Sequence, residues 1–469
     1  MESLLSVTAL LIVLIGGFGI TLLLMKGNRS VGLIEALALS FLFGTGFVSL
    51  SIFLMSFLIA GPALQSFVTI ACVAIAAIAW LIRWDANAVQ RPSPPDLKRT
   101  LLAAVVLVQI GAIIWLALHT TLGWDGLIVW EYKARLAFLN GGHIPLRYFG
   151  DVTEQWTHHE YPLYLPLTET WLYMWLGRSD QGWVKLVFPL FYAAAAGLLF
   201  VGAYRLSASR WYAAAAAILL FFVPEAIGGV GGSSGYADFP LAVVYLAAMI
   251  YLLEYSATGA TGPLRLASSL AALLTWGKLE GTILWIIVAL LLATEAIRRR
   301  QWRALPQVLL PGAILIAGWK MFLIATHCPP KILYMPVTLG NLWSNIGRVK
   351  SLALWMATET VSWSRWSVLW PALLISLLLM GKRSWRDGRL SLLIGIVVPT
   401  ALYLATYIFT NWSPYMQHVE SSMSRLMLAP ALLALLIIAT AMRAPARKPL
   451  EETSYVAYAG NAECGTERP

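Results

Sequence analysis

Long apolar runs constrain this chain more than any other feature. Stretches of about 17 to 25 residues with few or no charges recur from end to end, each long enough to cross a bilayer as a helix. We read about thirteen: 4–25, 32–60, 66–82, 100–118, 185–204, 211–228, 237–254, 264–279, 281–297, 305–325, 366–381, 390–410 and 425–442. Only 12% of the residues are charged and 59% are hydrophobic, where a soluble domain has about 25% charged. The alternation of a β-barrel is missing. The expectation is an all-α polytopic membrane protein. The first run exceeds a signal-peptide core and is followed by no small-residue cleavage site, so it is read as a retained helix.

The net charge is +10. The cations sit in short loops between apolar runs, which makes them topology signals, and no nucleic-acid partner is expected. Lys26 and Arg29 follow the first run; Arg83, Arg91, Lys98 and Arg99 follow the third. Arg205 and Arg210, "RRRQWR" (298–303), "GKRSWRDGR" (381–389), and Arg443, Arg447 and Lys448 follow the fifth, ninth, eleventh and last. With alternating helices all these loops share one side, cytoplasmic by the positive-inside rule, as is the C-terminus. Segments 119–184, 229–236, 279–281, 326–365 and 411–424 then face outward, and all six histidines fall on them. Part of that bias follows from loop length alone. Cys72, Cys328 and Cys464 have no metal spacing and imply no disulfide framework. The tail 447–469 is short and polar and reads as disordered.

The first outward loop is long enough to suggest function. It opens with "GWDGLIVWEYKARLAFL". Leu127, Trp130, Ala134 and Phe138 recur at helical spacing, with Glu131 and Arg135 one turn apart on another face. This predicts an amphipathic helix in the membrane interface, and a second is expected over 165–176. Asp125 at its start has two readings. It is a helix N-cap, or a carboxylate at membrane depth able to take a proton or stabilise charge on a sugar ring. Lys133 and Arg135 either bind phosphate or snorkel to the interface.

In "WTHHEYPLYLPL", His158, His159 and Glu160 are metal-capable, but adjacent residues rarely share one ion and no third histidine is spaced to help. Substrate contact is the preferred role, with Tyr161 held extended before Pro162. In "GGVGGSSGYADFPLA", Asp238 enters a helix beside Tyr236, where a carboxylate also suits the macrodipole. Lys278 and Glu280 in "LLTWGKLEGTILW" form either a polar hairpin tip or a grip on phosphate. Arg425, an outward cation against the inside rule, is expected to pair with Glu420 or a substrate phosphate.

The motifs "GWDGLIVWEYKARLAFLNGG", "HHEYPLYLPLTETWLYMWLG", "GYADFPLA", "TWGKLEG" and "SSMSRLMLAP" stand in order across residues 100–430. This ordered set resembles the GT-C glycosyltransferases that use polyprenyl-phosphate sugars, most closely the bacterial branch with protein O-mannosyltransferases and the lipid A aminoarabinose transferase. The resemblance implies a bacterial inner-membrane enzyme with an extracytoplasmic site, Asp125 as catalytic base and inversion at the sugar. Lys278, Arg425, Lys133 and Arg135 would hold the donor phosphate, with His158, His159, Glu160, Tyr161, Tyr236, Asp238 and Glu280 around the substrate. It also implies that residues 1–99 are additional helices, 100–325 a catalytic core with the loop 119–184, 326–446 further helices with an outward loop, and 447–469 a cytoplasmic tail. Two departures stand out. Relatives often have an acidic pair where this chain has Asp125-Gly126, which argues against a metal, and relatives often carry a large C-terminal soluble domain that this sequence does not show. No cofactor is required, and a divalent metal stays open as the alternative. The expected partners are a polyprenyl-phosphate sugar, membrane lipids, and an acceptor that is a glycan, lipid or protein. A transporter or flippase for lipid-linked glycans, or a polymerase or ligase using them, is the competing reading.

Overall fold

The computed structural model describes residues 1–26, 31–82, 89–90, 97–330, 333–382 and 388–441. Arg29, Arg83, Arg91, Arg443, Arg447, Lys448, Lys331, Cys464, the tail 447–469 and residues 383–387 of the loop after the eleventh run lie outside them.

The chain opens with α1 (Glu2–Leu24), α2 (Leu33–Met55), α3 (Gly61–Ile82) and α4 (Leu97–His119). A π-helical turn, Gly126–Glu131, runs into α5 (Tyr132–Leu139), followed by the short α6 (Leu146–Gly150), then α7 (Tyr164–Leu176) and α8 (Gln181–Val184). Next come α9 (Val187–Ser207), α10 (Arg210–Leu219), α11 (Asp238–Thr258), α12 (Thr261–Gly277), α13 (Glu280–Arg298) and α14 (Leu305–Ala325). Three smaller helices follow, α15 (Leu339–Ser344), α16 (Arg348–Thr360) and α17 (Trp363–Trp366). The chain then forms α18 (Leu369–Met380), α19 (Arg389–Ile408), α20 (Tyr415–Leu426) and α21 (Leu428–Thr440).

The molecule is an all-α, multi-pass membrane protein. Among the described residues, nine helices are long and apolar enough to cross a membrane, ten if α20 and α21, bent by 43°, form one span. Each of the thirteen expected runs contains a helix, but α10, α12 and α18 are short. α11 is the most enclosed of the nine, with 83% of its apolar window buried. It packs on α9, α12, α13, α19 and α21.

Close packing, rather than the hydrophobic effect, must hold helices together in lipid, and small residues permit it. α1 and α2 meet through glycines. A Cβ on Gly17 would stand 1.8 Å from the Ser40 carbonyl oxygen, and one on Gly44 would stand 2.0 Å from that of Val13.

The alternation expected from charge is visible in which loops meet. Val31–Gly32, after α1, pair in parallel with Val89–Gln90, after α3. Arg205 at the end of α9 reaches Glu35 at the start of α2 and lies 2.9 Å from Glu254 near the end of α11, and Tyr251 donates to Glu35 at 2.7 Å. At the opposite end, Tyr334 bridges Thr410, and the Trp319 indole of α14 donates to the Glu160 carbonyl at 2.9 Å.

The two expected interfacial helices are different in the structure. α7 forms where expected, but eleven of its thirteen residues are buried, against α1, α2, α3 and α5. In α5 and the turn before it, Lys133 is fully buried and Glu131 nearly so. The apolar stripe faces other helices rather than lipid, and the polar residues pair internally. A stripe on a sequence cannot by itself distinguish these two apolar surroundings.

Gly44→Val should destabilise the protein in detergent by about 1–3 kcal/mol through overpacking. Gly318→Val, where a Cβ meets open space, should leave the thermal midpoint unchanged. Equal losses at both positions would refute the close α1–α2 contact.

Candidate functional site

The site begins where the chain leaves α4. Lys185 donates to the carbonyls of Thr120, at 2.7 Å, and Leu118, at 3.3 Å, closing the exposed end of that helix. The next residues lie directly against segment 234–236. The Gly123 amide donates to the Ser234 carbonyl at 2.7 Å. A Cβ on Gly123 would sit 2.3 Å from the Tyr236 ring, and one on Gly126 would sit 2.7 Å from the Ser234 carbonyl oxygen. Glycine on both sides of Asp125 is therefore what allows this approach.

Asp125 is already helical in φ and ψ, and its side chain makes no capping hydrogen bond. The N-cap reading is thus overturned. A cap residue needs a non-helical backbone to turn its oxygen onto the helix's own amides, whereas this carboxylate contacts the Arg425 guanidinium of α20. Arg425 also lies over the Tyr236 ring, 5.2 Å from its centre. Glu420, the side chain expected to pair with Arg425, is exposed, and the contact goes instead to Asp125, which the sequence did not suggest for it. α20 is held by hydrogen bonds of Tyr407 to Ser422 at 2.7 Å and of His418 to Thr410 at 2.8 Å.

A second group centres on Tyr161. Its ring stacks between Trp130, at 5.4 Å and 7°, and His158, at 4.6 Å and 12°. The Lys133 and Lys278 ammonium groups lie 5.8 and 5.6 Å from its centre. Lys133 donates to the His158 carbonyl at 2.6 Å, with His158 in a left-handed backbone conformation. The His158 ring contacts Glu160 at 3.0 Å. Burial, with Glu280 and Glu160 adding negative charge nearby, pushes the Tyr161 phenol far above its usual range, so it stays protonated. His159 packs instead on Tyr148, with ring centres 4.4 Å apart. Burial, and then the Lys133 charge, lower its pKa and keep the imidazole neutral at neutral pH.

A third group joins α11 to the break between α12 and α13. Lys278 occupies that break in extended conformation. Its ammonium is 2.8 Å from Asp238 and 3.3 Å from Glu280. Burial alone would lower the Lys278 pKa, but the two carboxylates override it and hold the charge. Asp238 Oδ2, Glu280 Oε2 and Arg425 Nε are buried without hydrogen-bond partners among the described residues. Such atoms keep hydrogen-bonding capacity that a bound group could use.

Eleven of the twelve residues singled out for the site gather at this end of the bundle. Arg135 does not join the cluster. It pairs with Glu131 at 2.8 Å, and Glu131 also accepts from Tyr173 at 2.7 Å and Gln181 at 3.0 Å. Sequence reading missed Trp130 as a stacking partner and Lys185 as a helix-end donor. A lone lysine opening an apolar run was the available signal for the latter. Among the described residues, no three His, Cys, Asp or Glu side chains converge as a metal site. Lys278 puts its ammonium between Asp238 and Glu280, where a cation would otherwise balance them. The residues present therefore do not fit a metal.

Fold and site together define a multi-pass helical membrane protein with a cluster of paired charges at one end of its bundle. No protein-family model and no curated protein matches the chain. Among solved structures, it is similar to the archaeal oligosaccharyltransferase AglB from Archaeoglobus fulgidus, described in complex with an inhibitory peptide and a dolichol-phosphate. The two are 13% identical with a TM-score of 0.41, over 74% of this chain and half the length of AglB.

Lys278→Met should cost about 3–5 kcal/mol, because it leaves Asp238 buried and uncompensated. Adding Asp238→Asn should recover much of that loss in chemical unfolding. An Lys278→Met protein of unchanged stability would show that this pair is dispensable.

Proposed function

We propose that this protein is a membrane glycosyltransferase that moves a sugar from a polyprenyl-phosphate donor to an acceptor on the extracytoplasmic side of a bacterial inner membrane. The observation that carries the reading is the pairing of unlike groups. A partly accessible carboxylate, Asp125, contacts the half-buried Arg425, and the buried Lys278 is held by Asp238 and Glu280 at the same end of the helical bundle. Transfer from a lipid-linked phosphate needs both chemistries at that depth, a base for the acceptor and positive charge for the leaving group.

The reaction balances as one displacement. Asp125 takes the proton from an acceptor hydroxyl or amide. The acceptor atom attacks the anomeric carbon, and the bond from that carbon to the phosphate oxygen breaks with its electron pair leaving on oxygen. The polyprenyl phosphate gains negative charge, stabilised by Arg425, Lys278 and Lys133. Attack opposite the leaving group inverts the configuration, as the resemblance implies. Tyr161, Tyr236, His158, Asp238 and Glu280 surround the sugar. Asp238 and Glu280 each have an oxygen able to accept from a sugar hydroxyl.

A transporter of lipid-linked glycans is the competing class. Transporters place their sites near the bilayer midplane, at broken helices. The charges here gather instead around helix ends, including Glu280 and Asp238 in the first turns of α13 and α11.

The test uses membranes or nanodiscs containing the full chain and a panel of radiolabelled polyprenyl-phosphate sugars. Wild type should release polyprenyl phosphate with transfer of label, and Asp125→Asn should lower turnover by roughly 100-fold or more, the scale of a general base. Full turnover in a well-folded Asp125→Asn protein would remove Asp125 from this role. Movement of intact donor across the bilayer without transfer would favour the transporter.

A further inference from the structure

The site as it stands contains a contradiction. Asp125 is the proposed base, yet its carboxylate contacts the guanidinium proposed to hold the donor phosphate. A carboxylate in that contact accepts a proton only by giving up the ion pair, and an arginine spent on a carboxylate has less to offer a phosphate. Three carboxylates, Asp125, Asp238 and Glu280, face two cations, Lys278 and Arg425. Lys278 is already shared by Asp238 and Glu280, so a phosphate that meets Arg425 competes with Asp125 for it.

We infer that Arg425 exchanges Asp125 for the donor phosphate, so that donor binding itself releases the base. The inference rests on the function proposed above and adds an order to it, donor first and acceptor activation second.

Three observations select Asp125 as the group that lets go. Asp125 is the carboxylate on Arg425 and is 24% exposed, whereas Asp238, 2% exposed, and Glu280, 23% exposed, both pair with Lys278, at 2.8 and 3.3 Å. Asp125 can therefore meet water or an acceptor once released. Arg425 has a buried Nε with no partner among the described residues, so its fork is only partly used in the present contact. Phosphate suits that fork, because guanidinium binds it through two parallel N–H groups. Finally, Arg425 lies over the Tyr236 ring. That contact does not depend on which anion the edge of the guanidinium meets, so the side chain keeps its place during the exchange.

The experiment measures binding of farnesyl phosphate, a short polyprenyl phosphate without sugar, by calorimetry on the full chain in nanodiscs at fixed salt and pH. Wild type, Asp125→Asn, Arg425→Gln and the double variant form a cycle. Arg425→Gln should weaken binding about tenfold or more, through loss of a charge-assisted contact. Asp125→Asn should tighten it about tenfold, because the competitor for Arg425 is gone. In the Arg425→Gln background Asp125→Asn should have no effect. If Arg425→Gln does not fold, Arg425→Lys replaces it, keeping the charge without the fork, and the Asp125→Asn gain should shrink in that background.

The outcomes separate the two ideas. No binding by wild type, or unchanged affinity in Arg425→Gln, overturns the phosphate clamp of the proposed function and the exchange with it. Weakening in Arg425→Gln without tightening in Asp125→Asn overturns the exchange and leaves the clamp standing. Equal tightening by Asp125→Asn in both backgrounds means that Asp125 acts only through its general field, which also overturns the exchange.

Discussion

A charge enclosed by the ends of membrane helices must be matched within the protein, because neither lipid nor distant water can solvate it. That requirement organises one end of this bundle. Asp238 in the first turn of α11 draws Lys278 from the break between α12 and α13, and Asp125 at the exit of α4 draws Arg425 from α20. Helices far apart in sequence are thereby brought to a common point. At the other end, Arg205 gathers α2, α9 and α11 through Glu35 and Glu254. Apolar length decides how many helices can cross, and the ion pairs decide which helix ends must meet.

The same requirement explains which features the sequence made legible. Apolar runs locate helices well, because a bilayer imposes a length that soluble cores do not. Sorting residues by loop also placed together side chains that the structure gathers at one end, since alternation leaves each loop only two choices. Pairing was harder. Glu420, five residues before Arg425, was the anion the sequence offered; the contact with Asp125, 300 residues away, was not expected and depends on two glycines letting the Asp125 backbone lie against Tyr236. Arg135 looked like a phosphate ligand because its neighbour Lys133 did. In the helix the two point differently, and Arg135 is spent on Glu131 four residues back.

Interfacial character was misread for a related reason. Sequence periodicity reports that one face of a helix is apolar and is silent about what covers it. In α7 the cover is α1 and α2, with the Trp171 indole donating to the Ala9 carbonyl at 3.0 Å. The first helices of the chain thus pack beneath the long loop that carries much of the candidate chemistry. Their contribution to the site is mechanical, a floor under Tyr164, whose hydroxyl bonds Thr45 of α2 at 2.7 Å.

The π turn before α5 sets the phase of everything after it. Residues in an α-helix step by about 100° around the axis, and a π turn accommodates one more residue than an α turn. Here the Tyr132 amide returns to the Leu127 carbonyl, five residues back. At the end of this turn Glu131 points to Tyr173 and Gln181, and just downstream Lys133 points to the His158 carbonyl. A chain lacking Ile128 alone would form a regular helix with nearly the same composition and hydropathy. Its side chains would be turned out of register, with the lysine lost from the Tyr161 stack. Between Asp125 and Lys133, residue count therefore acts as an angular setting, and deleting Ile128 would change the site while keeping Asp125, Trp130 and Lys133.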